Sequence, residues 1–451
     1  MDGRGNCVSI EDSVGNLQFY ASDNWLGLNT ILDVHNNPLL NSDSITCDGF
    51  FNGLVIVPNP NFTNQFYLIY RGLFNNDDTA YYALIDMNLN GGLGAVVQKR
   101  VRIGTYRPAD CVTAVKHGNG RDWWLIEKLA NNPFTQFNRF YVYLVTADSI
   151  HAPIIQNFND CVDGDLQKVV WHPSFNKLML INVRGYMTEF NFDRCTGLFT
   201  INRTIFPEQA GNFSRVFWDG AYSANGNIFY VSRNSYGGLS GTHNYLLQYD
   251  LNAIDIPASC DTLDSTTFTP VDCGAVRMAP DGKIYYANAY IPTNVGINYP
   301  YPDSMRNYIN ENLGVINSPD SLGHACNFQP FSFYLGGKRT YWGLPNNPLY
   351  DLGPLAGSAC DTLFVAVRDP DNEFSITLSP NPCFDKTLLN FKEIIREKIT
   401  ASVWDETGRE VFSFSIKNKT TEINLEGYSK GIYFVRVSGE HFLKTFRLVK
   451  L

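Results

Sequence analysis

Side chains able to do chemistry are present in this chain but scattered. The seven histidines, His35, His117, His151, His172, His243, His324 and His441, show no H-x-H or H-E-x-x-H spacing. A metal centre would have to be assembled from distant segments. Gly238-Leu-Ser240-Gly241-Thr-His243 sets a serine near a base, but Thr242 breaks the G-x-S-x-G pattern and the stretch reads as a Gly-rich loop. Asp160-Cys-Val-Asp163-Gly-Asp165 groups hard oxygen ligands; without the further acidic ligand of an EF-hand it reads as a solvated turn. Acidic residues otherwise gather at turns, where Asp serves hairpin geometry, so no carboxylate pair stands out for glycoside hydrolysis. The reading assigns no catalytic residue, no cofactor and no metal.

Ten cysteines (Cys7, Cys47, Cys111, Cys161, Cys195, Cys260, Cys273, Cys326, Cys360 and Cys383) lie far apart with no C-x-x-C pair. That usage fits an oxidising compartment and predicts at least two disulfides. Cys7, Cys111, Cys273 and Cys326 each open a candidate inner strand and are expected to crowd together. No apolar run approaches the roughly 18 to 20 residues of a membrane span. Met1-Asp2-Gly3 opens without a charged, then apolar, leader, and the expectation is a secreted chain whose signal peptide has been trimmed. The net charge of −9 offers no footprint for nucleic acid. Lys99-Arg100-Val-Arg102 alternates as the exposed side of a strand does.

The elements that must position these groups are strands. Of 451 residues, 44% are hydrophobic and 14% aromatic, with Gly, Asn and Asp turns throughout, which reads as an all-β chain. Only Pro302 to Asn312 looks helical. An apolar strand, a turn and an aromatic strand recur at Cys7–Tyr20, Gly53–Tyr70, Cys111–Ile126, Val169–Ile181, Val216–Val231, Gly274–Tyr286 and Cys326–Trp342. A small twisted sheet buries both faces only when packed between two neighbours. Seven copies predict a seven-bladed β-propeller over residues 1–367. In that register Phe19, Phe66, Trp123, Phe229 and Tyr285 are equivalent, and Tyr20, Tyr67, Trp124, Tyr230 and Tyr286 face the other way.

Residues 368–373, charged and proline-bearing, read as a linker. Residues 374–451 carry 12 Lys and Arg against 9 Asp and Glu, whereas the preceding part is acidic. Seven short alternating stretches there (374–378, 387–391, 399–404, 410–416, 420–424, 431–437 and 442–449) predict a small immunoglobulin-like β-sandwich.

Four motifs of this tail, Ser379-Pro380-Asn381-Pro382, Asp405-Glu-Thr-Gly408-Arg409-Glu410, Lys430-Gly431-Ile-Tyr433-Phe-Val-Arg-Val437 and Lys444 to Lys450, resemble the type A sorting domain of the Bacteroidetes type IX secretion system. The resemblance covers residues 374–451 and implies export through the periplasm and recognition by the translocon. It also implies removal by a sortase-like protease, with attachment of the cargo to surface lipopolysaccharide or its release. Segments Asn6–Tyr20, Gly274–Asn288 and Asn312–Pro319 resemble the N-terminal propeller of large Bacteroidetes surface proteins, which implies architecture and an extracellular or outer-membrane address rather than a reaction. Asp followed by Ser or Thr and a small or aliphatic residue, at Ser13, Ser44, Thr79, Ser149, Thr262, Ser265, Ser304, Ser321 and Thr362, resembles the O-glycosylation acceptor of Bacteroidetes. The leading expectation is a surface or secreted platform for adhesion, binding a protein or glycan ligand through loops gathered on one face. The alternative is a propeller-type polysaccharide-degrading hydrolase or lyase with its site in the central funnel.

Overall fold

The computed structural model describes the chain apart from residues 1–5, 13, 23–30, 46–51, 75–76, 131–137, 160–166, 207–215, 237–241, 268–270, 291–305, 362–375, 392–398 and 440–442. The chain divides into two compact units, Met1–Leu363 and Phe364–Leu451.

Alternating apolar and aromatic stretches separated by positive-φ turns such as Gly15, Gly226 and Gly282 give antiparallel hairpins. In the first unit, among the described residues, these hairpins extend into six successive meander sheets. Their opening strands are Cys7–Glu11, Leu54–Pro58, Thr113–Lys116, Gln167–Trp171, Val216–Tyr222 and Val271–Met278. The first sheet has three strands and the other five have four. The opening strands lie side by side between the first and second, second and third, fourth and fifth, and fifth and sixth sheets.

The expected seventh repeat is not a sheet of its own. Phe328–Tyr334 pairs with Asn312–Ile316 as the outermost strand of the sixth sheet, and residues 335–361 form no strand. An isolated hairpin signal cannot distinguish a new sheet from the last strand of the preceding one, because both alternate with period two. The expected helix shrinks to Tyr308–Glu311 among the described residues.

Each interface between consecutive sheets is an apolar cluster fed by alternate residues of the second strands. Phe19 meets Phe66 between the first and second sheets, with ring centroids 5.7 Å apart. Ile69 and Trp123 share the next interface, Trp124 and Leu178 the next, Met179 and Phe229 the next, and Tyr230 and Tyr286 the last. The anticipated register therefore holds for Phe66, Trp123 and Phe229, which all face the preceding sheet. It is off by one at both ends: Phe19 faces the following sheet, and Tyr286 rather than Tyr285 faces the preceding one. Tyr285, Tyr20 and Tyr67 are half-buried. A one-residue slip exchanges the faces of a strand, and sequence periodicity alone does not say which face is which.

Among the described residues the second unit contains the seven strands expected of it: Ile376–Ser379, Lys386–Phe391, Ile399–Asp405, Glu410–Ile416, Thr420–Asn424, Gly431–Ser438 and Leu443–Lys450. They form one three-stranded and one four-stranded antiparallel sheet. Leu389 and Ile423 of one sheet and Ala401, Val403, Val435 and Leu448 of the other share a single core.

Candidate functional site

Two places concentrate polar side chains. In the first unit, polar groups on or just ahead of the opening strands of all six sheets meet. Asn52, just ahead of Leu54–Pro58, is fully buried. Its Oδ1 accepts from Lys168 Nζ of the fourth sheet at 2.7 Å and from Arg277 Nη2 of the sixth at 3.2 Å. Arg277 Nη1 donates to Asp219 Oδ1 of the fifth sheet at 2.8 Å. Asp219 also accepts from the amides of Gly220 and Val276. The Asn52 carbonyl receives the Val112 amide of the third sheet at 2.6 Å, and Asn6, just ahead of the first sheet, accepts from Gly53 at 2.6 Å. Burial pushes the Lys168 ammonium down to about 8, opposed by the charges of Asp219 and Asp110.

An irregular segment crosses this meeting point. The Trp342 carbonyl accepts from Ala275 at 2.6 Å, and the Asn346 amide donates to the Cys7 carbonyl at 2.8 Å. Asn346 Nδ2 reaches the carbonyls of Leu54 and Val112, and Asn347 exchanges bonds with Ser9. Farther along, Lys116 Nζ donates to the Tyr350 carbonyl at 2.6 Å, and Arg194 Nη2 to that of Gly353 at 2.7 Å. A disulfide between Cys195 and Cys360 ends the crossing. Gly274 is required here, since a Cβ would lie 2.5 Å from the Trp342 carbonyl oxygen.

A separate buried carboxylate lies between the second and third sheets. Glu127 accepts from Tyr106 Oη, which is bonded in turn to Tyr143 Oη at 2.7 Å. Burial pushes Glu127 up to about 7 against the lowering effect of the Tyr106 bond.

In the second unit the motif residues are mostly structural. Asn381 behaves as a surrogate strand residue: Nδ2 donates to the Arg447 carbonyl at 2.6 Å, and Oδ1 accepts from the Val449 amide at 3.0 Å. Pro380 offers its carbonyl to Thr387 Oγ1, and Cys383, beyond Pro382, pairs with Val449 and Leu451. Lys450 is buried, with Nζ held by the carbonyls of Leu425 and Tyr428 and by Asp385 at 3.0 Å. Tyr433 Oη donates to the Ser429 carbonyl. Gly431, at φ 151°, enters the strand through a conformation that side chains disfavour. Gly408, Arg409 and Lys444 are placed differently. Asp405 anchors the hairpin carrying Gly408 and pairs with the exposed Arg409, while Lys444 lies over Phe446. Trp404, Asp405, Glu406, Gly408, Phe434, Arg436 and Thr445 line a depression of about 310 Å³ beside that hairpin.

Of the hydroxyls matching the glycosylation pattern, Ser44, Ser149, Thr262 and Ser265 are exposed and Ser321 is half-buried. Thr79 is buried and its Oγ1 is engaged by the carbonyls of Gly104 and Tyr106. Ser13, Ser304 and Thr362, the Gly238–Gly241 loop, the Asp160–Asp165 stretch and the 368–373 linker lie outside the described residues. Cys111, Cys273 and Cys326 are free thiols, and among the described residues there is one disulfide, Cys195–Cys360, where at least two were expected. His117 and His172 serve local turns, through bonds to Asn119 and Ser174. No group of three metal-ligating side chains occurs among the described residues. Nor is any described helix long and apolar enough to cross a membrane.

The sequence did not point to Asn52, Lys168, Asp219 or Arg277. The available signal was one charge in each of two otherwise apolar opening strands, Lys168 and Asp219, and two in a third, Asp272 and Arg277, easily read as the exposed side of an edge strand.

No curated protein matches the chain. Among solved structures it is similar to the periplasmic gluconolactonase of Pseudomonas aeruginosa, with 11% identity, 93% of this chain and 98% of that one covered, and a TM-score of 0.38. It is also similar to the Cps50 β-propeller domain of Myceliophteria thermophila, with 9% identity, 89% and 97% covered, and a TM-score of 0.32. Likenesses of this size say nothing about activity. Residues 377–450 match the family of secretion system C-terminal sorting domains. The second unit, with its motif residues pinning the final strand, is therefore a sorting domain of the Bacteroidetes kind, which marks the chain for secretion by the type IX system.

Proposed function

We propose that the six sheets close into a β-propeller that serves as a rigid extracellular binding platform, delivered by an immunoglobulin-like sorting domain. In this reading residues 1–367 are the cargo, 368–373 the linker and 374–451 the address. The address engages the translocon and is removed by a sortase-like protease, leaving the cargo released or attached to lipopolysaccharide. The observation that carries the platform reading is the segment from Trp342 to Cys360. It runs along the opening strands, joins the sixth sheet to the first, and is locked by Cys195–Cys360. In a propeller this is the axial funnel that an enzyme would use, and here Lys168, Arg277, Asp219 and Asn52 bond to one another rather than facing an open cleft. Loops on one face of so braced a scaffold suit recognition of a protein or glycan.

The test is a glycan and surface-protein array probed with the purified cargo, run beside a polysaccharide-degradation screen. Saturable binding without bond cleavage supports the platform. Depolymerisation that disappears on mutating funnel residues would overturn it in favour of a hydrolase or lyase.

A further inference from the structure

We propose that Lys168 and Asn52 are joined by an intramolecular isopeptide bond that covalently links the fourth sheet to the strand entering the second. Three features of the site support this. Lys168 Nζ lies 2.7 Å from Asn52 Oδ1, so the amine is held against the same amide group whose carbon it attacks once deprotonated. Arg277 Nη2 donates to the same oxygen at 3.2 Å, where it polarises the carbonyl and holds the charge that develops on attack. Asn52 Nδ2, the group that must depart, is buried and has no hydrogen-bond partner among the described residues. An amide nitrogen held by no bond is a better leaving group than one anchored by an acceptor, and an orphaned buried donor is otherwise costly. Desolvation of Lys168, which lowers its proton affinity, raises the share of neutral amine near neutral pH.

The step balances without any oxidant or cofactor. The Lys168 ammonium gives one proton to a neighbouring carboxylate, Asp219 or Asp110, both of which act on its charge. The amine lone pair forms the Nζ–Cγ bond as the carbonyl electrons move to Oδ1 beneath Arg277. A second proton passes from Nζ to Nδ2, the carbonyl re-forms, and the Cγ–Nδ2 bond breaks. Ammonia leaves and carries off the proton parked on the carboxylate as ammonium. Lysine and asparagine side chains become one secondary amide.

The full chain, expressed without surface glycosylation, reduced and denatured, is weighed intact and then digested with trypsin for tandem mass spectrometry. The expected mass is lower than that of the sequence by one ammonia, with no cleavage after Lys168 and a branched peptide carrying Asn52. Lys168→Arg keeps the charge but cannot form the bond, and should restore the full mass. An unreduced mass with separate linear peptides for Lys168 and Asn52 overturns the proposal. So does an ammonia loss that persists in Lys168→Arg, since that assigns it to a succinimide at Asn52-Gly53.

Discussion

Cys195 and Cys360 are 165 residues apart in sequence, yet their Cα atoms lie 5.4 Å apart, tying the turn after the third strand of the fourth sheet to the end of the crossing segment. The bridge closes most of the second half of the first unit into one covalent loop. Replacing Cys195 with Ser should lower stability by about 2–4 kcal/mol, the range for disulfides closing long loops. Chemical denaturation of the oxidised protein, compared with the variant and with reduced wild type, checks this. The variant and the reduced protein should have similar, lower midpoints.

The buried Glu127 makes stability depend on pH. Its folded-state value is raised to about 7 from 4.5 by burial, so the folded protein holds a proton that the unfolded chain releases. The contribution is fully present below about 4.5 and is lost as pH rises through 7. Urea midpoints between those limits should fall with pH in the wild type. Glu127→Gln, which retains an acceptor for Tyr106, should show a flatter profile.

The alternation of faces can be tested by paired truncations. Phe229 is fully buried between the fourth and fifth sheets, whereas Tyr285 is only half-buried on the far face of the sixth. Phe229→Ala should cost roughly 3–5 kcal/mol. Tyr285→Ala should cost clearly less by the same thermal or denaturant measurement.

Within the sorting domain, fold and recognition should separate. Lys450→Met leaves the Leu425 and Tyr428 carbonyls and Asp385 without their donor. It should destabilise the domain by about 1–3 kcal/mol and thereby reduce export. Arg436→Ala, beside the depression, should leave the melting of the domain unchanged. If surface delivery then falls, that depression is a recognition surface; deleting residues 374–451 should retain the cargo inside the cell in either case.

Glycosylation should follow exposure. Glycopeptide mapping of the secreted protein is expected to find Thr79 unmodified, because its hydroxyl is buried and bonded to two carbonyls. Modification, where present, should fall on exposed hydroxyls such as Ser149 or Thr262.

Much of the architecture could be read locally. Alternating apolar residues around Asn, Asp and Gly turns specify hairpins from a dozen residues at a time, which is why six repeats and all seven strands of the tail were legible. The tail motifs were legible for the same reason. Asn381 and Lys450 work within a small sandwich whose strands all lie within 80 residues. Tertiary structure decided whatever depended on how separate hairpins are summed. Phe328–Tyr334 could open a seventh sheet or finish the sixth, and only the pairing with Asn312–Ile316 distinguishes them. The faces chosen by Phe19 and Tyr286 depend on which neighbour each sheet meets. The cluster of Asn52, Lys168, Asp219 and Arg277 joins residues up to 225 positions apart. Lys168, Asp219 and Arg277 each alone resemble a solvated charge in a strand, and the chemistry of the four arises only when desolvation and proximity are imposed together by the meeting of the opening strands.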